Sequence, residues 1–295
     1  MRIVMAGASG YLGGHLIARL LSKGHAITQL VRRPAHAPNE IQWDPYSRLL
    51  DPVILEGADV VVNLGGVGVA DQRWNPRYKR EIRMSRTVPT QVLAEAVAEA
   101  KVPALVNASA VGWYGDSGKR EVDETADYGR DFLGVTSKAW EDATIPAREN
   151  GARVTMLRTG HVLSADSVII QKLMPVFKCG IGGRFGSGRQ YFPWVSLLDW
   201  LGAVHHIIDS QIAGPVNIVG PNPATNREFT KAMGTALRRP TPTIVPPAAL
   251  KLAAGGAAVE LLRGSRVIPK ALNDSGYQFR HPSVIDAVRW CVNSR

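Results

Sequence analysis

The sequence has few of the residues that define several large protein classes. Its 295 residues include only two cysteines, Cys179 and Cys291, too few for a disulfide framework or a cysteine-based metal cluster. No run of about 18 apolar residues occurs, so no membrane-spanning helix is expected. The first residues, MRIVMAGASG, lead directly into a strand and leave no room for a signal peptide. These absences predict a cytoplasmic protein without a bound metal.

The net charge of +10 raises the question of nucleic-acid binding. The basic residues are scattered from Arg32 to Arg266, and no helix-turn-helix, zinc or aromatic-basic motif accompanies them. Anionic small molecules are therefore a better interpretation of the charge than nucleic acid. We expect a small-molecule substrate and no nucleic-acid or membrane partner. A homodimer is left open.

The order of apolar and amphipathic segments indicates the fold class. Through the first half of the chain, short apolar runs such as RIVMAG and ADVVVNLGG alternate with longer helical patterns, which is typical of a Rossmann-type, doubly wound parallel sheet. Beyond about residue 160, glycine and proline become frequent. We predict a nucleotide-binding domain over 1–160, with 196–220 returning to it. Residues 161–195 and 221–295 are expected to form a smaller C-terminal α/β substrate lobe.

A glycine-rich loop follows the first predicted strand and opens a helix. Gly7, Gly10 and Gly13 have the spacing that permits a tight turn, a close approach of the backbone to a pyrophosphate and close packing of helix on strand. The unpaired N–H groups of the helix then face the phosphates. The alternative is a glycine turn that binds no ligand.

The end of the second predicted strand indicates which dinucleotide is bound. NAD enzymes carry an acidic residue there for the ribose 2′-hydroxyl, whereas this sequence has Arg32 and Arg33. A guanidinium group suits a 2′-phosphate because its planar fork binds phosphate through two hydrogen bonds. The sequence therefore predicts NADP(H), and the alternative is two arginines on the surface.

A series of motifs then points to a family. Along nearly the whole chain occur, in order, GASGYLG, ADVVVNLGG, NASAVGWYGD, DFLGVTSKAWE, LRTGHVL and GGRFGSGRQYFPWV. With these motifs the chain resembles the extended short-chain dehydrogenase/reductase superfamily. Within it, the chain is similar to the NADP-binding, sugar-nucleotide epimerase-like proteins called "epimerase family proteins", which end in a small domain of unknown function.

The resemblance implies a set of cofactor contacts and a substrate pocket. The implied cofactor-binding residues are Gly7, Ser9, Gly10, Tyr11, Leu12, Gly13, Arg32, Leu64, Gly65, Gly66, Ser109, Lys138 and Arg158. Gln190 resembles the segment of the substrate lobe that reaches back into the cleft.

The catalytic motif of the superfamily is incomplete. Lys138 matches the lysine of Tyr-x-x-x-Lys and Ser109 matches the catalytic serine, but Gly134 stands where the tyrosine is expected. We expect Gly134 to leave a cavity beside the nicotinamide that the substrate enters. Proton transfer would then fall to Ser109 or to a water molecule that it orients, with Tyr114 and His161 as substitutes.

Two functions remain open from the sequence. The first is an NADP(H)-dependent oxidoreductase or epimerase-like enzyme that acts on a small carbonyl or sugar-like substrate. The second is a non-enzymatic NADP(H)-binding sensor or scaffold. Ser109 and Lys138, together with the glycine- and arginine-containing second lobe, favour the enzyme.

Overall fold

Seven parallel strands form the central sheet. The computed structural model describes residues 1–47 and 50–294, with the side chains of residues 253 and 254 outside the described set. Its strands are β1 (Arg2–Ala6), β2 (Ala26–Val31), β3 (Glu40–Gln42), β4 (Val60–Asn63), β5 (Ala104–Ala110), β6 (Glu121–Val122), β7 (Arg153–Thr159), β8 (His161–Leu163), β9 (Gly183–Phe185), β10 (Tyr191–Phe192), β11 (Trp194–Ser196), β12 (Gly214–Ile218), β13 (Ala224–Thr225), β14 (Thr243–Val245) and β15 (Arg266–Val267). The order in the large sheet is β12-β7-β5-β4-β1-β2-β3.

Helices connect and cover these strands. They are α1 (Tyr11–Leu21), α2 (Pro76–Glu99), α3 (Phe132–Asp142), α4 (Ile145–Glu149), α5 (Val168–Lys178), α6 (Leu197–Asp209), α7 (Asn226–Leu237), α8 (Pro247–Ala254), α9 (Val259–Leu262), α10 (Lys270–Asp274) and α11 (Val284–Asn293). Side chains that accept hydrogen bonds from free N–H groups define several helix starts, among them Asn75 before α2 and Asp131 before α3. None of the helices described here is long and apolar enough to cross a membrane.

The sheet is covered by helices on both faces, as the alternating pattern predicts. One core packs side chains of α1 and α6, such as Leu16 and Trp200, against β1 and β4. The other packs α2, with Leu93 and Val97, against the opposite face of the same strands. The predicted Rossmann-type class is thus confirmed. Because both faces are buried, the central strands β1 and β4 consist largely of apolar residues.

The segments that follow the carboxyl ends of β5 and β7 form short strand pairs with later parts of the chain. The strand pairs there are short: β8 with β11, β9 with β14 and β6 with β15 are parallel, whereas β10 and β13 are antiparallel. A separate core of Phe192, Trp194, Phe229 and Val288 holds α5, α7 and α11 to them. Since crevices at the carboxyl ends of parallel strands are the usual ligand sites of such sheets, this edge is where the site is expected.

Candidate functional site

The glycine loop has the geometry of a phosphate cradle. Gly7 adopts a φ of +79°, and a Cβ built there would lie 2.6 Å from the carbonyl carbon of Leu64. A Cβ on Gly13 would lie 2.2 Å from the Gly7 carbonyl oxygen, so α1 can approach β1 only if this residue is glycine. Gly10 begins α1 without a capping side chain, which leaves the N–H groups of the first turn to a ligand. These residues fit a dinucleotide pyrophosphate.

A cavity of about 600 Å³ extends from this loop along the ends of β1, β2 and β4. Seven of the residues named above line it together: Gly7, Ser9, Gly10, Arg32, Leu64, Gly65 and Gly66. Trp43 and Tyr46 also line it, and the sequence analysis did not assign them to the site. Two aromatic residues in a loop do not indicate a ligand site from sequence alone, because only the fold places them beside the cavity.

The two arginines after β2 differ in their contacts. Arg33 donates hydrogen bonds of 2.8 and 2.7 Å to the two carboxylate oxygens of Glu40 and keeps the pKa of Glu40 low, at about 2. Arg32 is exposed, lines the cavity and has no carboxylate partner among the residues that the structure describes. Of these two arginines, only Arg32 therefore presents to a ligand a guanidinium group that is not paired with a carboxylate.

Tyr11 and Leu12 turn their side chains away from this cavity. The Tyr11 hydroxyl contacts Ser164 and Asp166, and burial raises its pKa to about 12. Leu12 packs against the core. Any contact of these two residues with a pyrophosphate would have to come from their backbone N–H groups.

The predicted catalytic serine lies in a buried network. The Ser109 Oγ donates a 2.6 Å hydrogen bond to Oε1 of Glu141, on α3. The same carboxylate accepts bonds of 2.9 and 3.0 Å from Arg158, whose guanidinium group lies 3.8 Å from the centre of the Trp113 ring. Arg158 is only 2% exposed. The Arg158 side chain is thus paired with Glu141 inside the protein, and the expected contact of Arg158 with the cofactor stays a prediction.

Tyr114, predicted as a substitute for the missing tyrosine, belongs to the same buried network. Its hydroxyl donates to Oδ1 of Asn217 at 2.6 Å and accepts from Nη1 of Arg158 at 3.0 Å. Burial raises the pKa of Tyr114 to about 12. The phenol is therefore neutral and its donor and acceptor roles are both occupied in this structure, and its role in proton transfer stays a prediction.

The space expected beside Gly134 is filled by backbone. A Cβ at this position would lie 2.1 Å from the carbonyl oxygen of Gly129. The segment before α3 thus packs directly on the helix where a tyrosine side chain would begin. The expectation of a substrate cavity at Gly134 is wrong, because the glycine serves this close contact.

Lys138 lies one turn further along α3, on a more exposed face. Its Nζ is 2.6 Å from Oδ2 of Asp142, and the ammonium group lies 5.8 Å from the centre of the Tyr128 ring. The structure thus gives this lysine a partner four residues along its own helix. Its contact with a nicotinamide ribose stays a prediction.

A second cleft, which we call the acidic cleft, opens where β5 and β7 end. It is lined by residues of five segments, including Gly112, Asp131, His161, Pro193, Glu260 and Arg263. Arg263 Nη1 lies 3.5 Å from Oδ2 of Asp131. Burial and the neighbouring Asp131 raise the pKa of Glu260 to about 7. The cleft thus contains a carboxyl group that can gain or lose a proton near neutral pH.

His161 lies on the wall of the acidic cleft. Its ring stacks on Phe192 with the ring centres 4.5 Å apart, and burial lowers the pKa of His161 to about 4. The imidazole is therefore neutral at physiological pH. It can take part in hydrogen bonds, but it does not carry a positive charge into the cleft, and its role in proton transfer stays a prediction.

A cavity of about 590 Å³ adjoins the acidic cleft through Val259 and Arg263. Phe185, Pro247 and Leu262 give it apolar walls, and Lys251 adds a positive charge. Gln190 lines it as well, with its amide nitrogen donating to the carbonyl oxygens of Phe185 and Leu261, both at 3.0 Å. Sequence reasoning assigned none of the residues from α8 and α9 to the site, because their own pattern carries no recognisable motif.

Comparison with known proteins gives a consistent assignment. Residues 3–220 match the NAD dependent epimerase/dehydratase family, and residues 245–291 match a domain of unknown function, DUF1731. An epimerase family protein of Mycobacterium bovis is 45% identical over 292 residues, which cover 98% of this chain and 97% of that protein.

Two solved structures are also similar over the whole chain. The crystal structure of the human epimerase family protein SDR39U1 (isoform 2) with NADPH has a TM-score of 0.91 at 32% identity, and the match covers 100% of both chains. The nucleoside-diphosphate sugar epimerase of Corynebacterium glutamicum has a TM-score of 0.82 at 34% identity, covering 100% of this chain and 58% of that one.

Proposed function

Because the chain belongs to the NAD dependent epimerase/dehydratase family, we propose that it is an NADP(H)-dependent enzyme of the oxidoreductase or epimerase type, acting on a small carbonyl or sugar-like substrate. The observation that carries the cofactor choice is Arg32, whose guanidinium group lines the dinucleotide cavity while Arg33 is paired with Glu40. The human relative SDR39U1, which was crystallised with NADPH, supports the same choice.

Different residues of the chain bind different parts of the cofactor. The first turn of α1 offers its N–H groups to the pyrophosphate, and Arg32 binds the 2′-phosphate. Leu64 to Gly66 form the floor of the cavity, with no side chain at 65 and 66 to obstruct it. NADP(H), when bound, would supply or accept a hydride at its nicotinamide ring.

Proton transfer is best supported at the acidic cleft. Ser109 and Tyr114 are held in the buried network, whereas Glu260 faces the cleft with a pKa raised to about 7. A general acid or base works best when its pKa is close to the operating pH. We assign Glu260 the exchange of the proton that a tyrosine handles in the wider superfamily. Asp131, held by Arg263, is the neighbouring charge that favours the protonated form.

The test is a turnover screen with NADPH. Purified protein is incubated with NADPH and a panel of aldehydes, ketones and nucleotide sugars, and loss of NADPH absorbance or sugar interconversion is followed. Wild type should turn over at least one compound. Glu260→Gln should abolish that turnover while NADPH affinity stays the same. Full turnover by the Gln variant would exclude Glu260 as the acid or base.

One observation favours the alternative of a non-enzymatic NADP(H) sensor. The residues at the serine and tyrosine positions of the superfamily have structural contacts here, namely Ser109 with Glu141 and Gly134 with Gly129. A sensor would bind NADPH and NADP⁺ with different affinities and would turn over no compound. Calorimetric titration of both cofactor forms, run beside the screen, separates the two functions.

A further inference from the structure

Two histidines and an aspartate lie close together at the end of the sheet opposite the cofactor cavity. His25 immediately precedes β2, at the amino-terminal end of the strands, whereas the glycine loop follows the carboxyl end of β1. His205 and Asp209 lie one turn apart near the end of α6. One ligand atom from each of the three residues lies within 4.8 Å of the other two. Neither the cofactor cavity nor the acidic cleft includes them.

The distance between the two rings suits a shared ion. Nε2 of His25 and Nε2 of His205 are 3.5 Å apart. A transition metal bound at about 2.0–2.1 Å from each of two imidazole nitrogens holds those nitrogens roughly 3.3–3.6 Å apart in tetrahedral or trigonal geometry. The ring centroids are 5.6 Å apart, further than the nitrogens, so the rings approach nitrogen first and not face to face.

The two Nε2 atoms lie within hydrogen-bond distance of each other and have no other hydrogen-bond partner among the residues that the structure describes. Nδ1 of His25 is buried and has no partner among the residues that the structure describes, so the ring is not committed elsewhere through that atom. Nδ1 of His205 faces Oδ2 of Asp209 at 3.4 Å. A carboxylate on one nitrogen of a histidine fixes the tautomer whose other nitrogen can bind a metal.

The charges around the cluster bear on the strength of binding. Arg19 and Lys23 are the cations near His205, and Asp209 is the carboxylate of the cluster. The two cations oppose a divalent ion, so the single carboxylate matters for affinity.

We propose that His25, His205 and Asp209 form a binding site for a divalent transition-metal ion of the Zn²⁺ class. The two Nε2 atoms are the ligands, Asp209 orients His205 and neutralises part of the ion's charge, and water completes the coordination. Such an ion would tie the turn between α1 and β2 to α6, which packs on the same face of the sheet as α1. It is remote from the proposed chemistry and would stabilise the fold.

The experiment titrates full-length, tag-free protein, freed of metal with EDTA, with ZnCl₂ by calorimetry and with Co²⁺ by visible absorption. One ion should bind per chain, and Zn²⁺ should raise the melting temperature. Loss of a residue that orients a ligand weakens metal binding about 10–100-fold, so Asp209→Asn should weaken it within that range, and His25→Gln or His205→Gln, which each remove a ligand, should weaken it at least as much.

Two control variants test competing sources of binding. His206→Gln changes the neighbouring histidine, whose Nε2 lies 3.0 Å from Oγ of Ser275, and Cys179→Ser removes an exposed thiol. Both should leave the affinity for Zn²⁺ within about twofold of wild type, a change well below the 10–100-fold loss expected for the cluster residues. Absence of saturable binding up to millimolar Zn²⁺ would overturn the proposal. So would binding that persists unchanged in correctly folded His25→Gln and His205→Gln proteins.

Discussion

The Ser109 hydroxyl donates a 2.6 Å hydrogen bond to Glu141, and this contact joins the expected catalytic serine to the buried ion pair of Glu141 and Arg158. Glu141 and Arg158 share two hydrogen bonds and are 8% and 2% exposed. A charge this deep is tolerated only with its partner present, because desolvation of a single unpaired ion costs several kcal/mol. The network thus fixes α3 against β5 and β7.

Removing the carboxylate should therefore be far more destabilising than removing the serine. We expect Glu141→Ala to lower the free energy of unfolding by about 3–5 kcal/mol and Ser109→Ala by about 1–3 kcal/mol. Asp142→Ala, on the same helix but in an exposed pair with Lys138, should cost less than about 1 kcal/mol. Urea denaturation measures all three. Equal effects of Glu141→Ala and Asp142→Ala would refute the structural role of the network.

The close contact at Gly134 leads us to expect that a larger residue there destabilises the protein. Alanine there would place its Cβ 2.1 Å from a backbone oxygen, so helix and loop must separate, and we expect a loss of about 1–3 kcal/mol, as for overpacking. Gly14→Ala in α1 is the matched control, because its Cβ meets nothing within 4 Å. That variant should be stabilised by up to about 1 kcal/mol through helix propensity. Thermal melting compares the two, and a stabilised Gly134→Ala protein would contradict the geometry.

These contacts show where sequence reasoning succeeded and where it could not. The fold and the glycine loop follow from local patterns: strand–helix alternation, and a spacing in which Gly7 and Gly13 allow two backbone segments to meet. Gly134 differs, because its neighbour Gly129 lies in a loop whose path depends on tertiary packing. From the sequence, glycine in place of tyrosine suggests an empty pocket. Only the fold shows that the backbone of Gly129 occupies that space. Glu260 was missed for a related reason, since only the fold brings α9 to the cleft.

Stability should depend on pH through Glu260. Its pKa is raised from 4.5 to about 7, so the folded state retains a proton that the unfolded state loses between these values. Stability from this group is therefore present below pH 4.5 and is lost as the pH rises through 7. At pH 8, Glu260→Gln should be more stable than wild type by up to about 3 kcal/mol, with no difference at pH 4. Chemical denaturation at both values measures it.

His161 acts in the opposite direction and must be separated from this effect. Its pKa is lowered from 6.5 to about 4, so its contribution is present above pH 6.5 and is lost as the pH falls towards 4. At pH 8 it is neutral in both states, and the comparison of wild type with Glu260→Gln reports Glu260 alone. A variant that is no more stable than wild type at pH 8 would show that Glu260 is solvated.

Lys138 provides a test of the expected ribose contact. If its ammonium group leaves Asp142 for the nicotinamide ribose, Lys138→Ala should weaken NADPH binding by about 1.5–3 kcal/mol, the range for hydrogen bonds to charged groups. Lys270→Ala is the control, since Lys270 forms an equivalent exposed pair with Asp274. It should not change NADPH affinity. If calorimetry finds the same affinity for both variants, Lys138 is a surface residue and α3 does not bind the cofactor.

Arg32 and Arg33 give the sharpest test of cofactor choice, because they are adjacent in sequence and differ in their partners. Arg33 is held by Glu40, whereas Arg32 faces the cavity. Arg32→Ala should weaken NADPH by about 1.5–3 kcal/mol and leave NADH nearly unchanged, because only NADPH carries the 2′-phosphate. Arg33→Ala should affect both cofactors equally and weakly. Calorimetric titration of NADPH and NADH into the three proteins gives the ratio of affinities. A ratio that Arg32→Ala leaves intact, or a loss confined to Arg33→Ala, would move the phosphate contact away from Arg32.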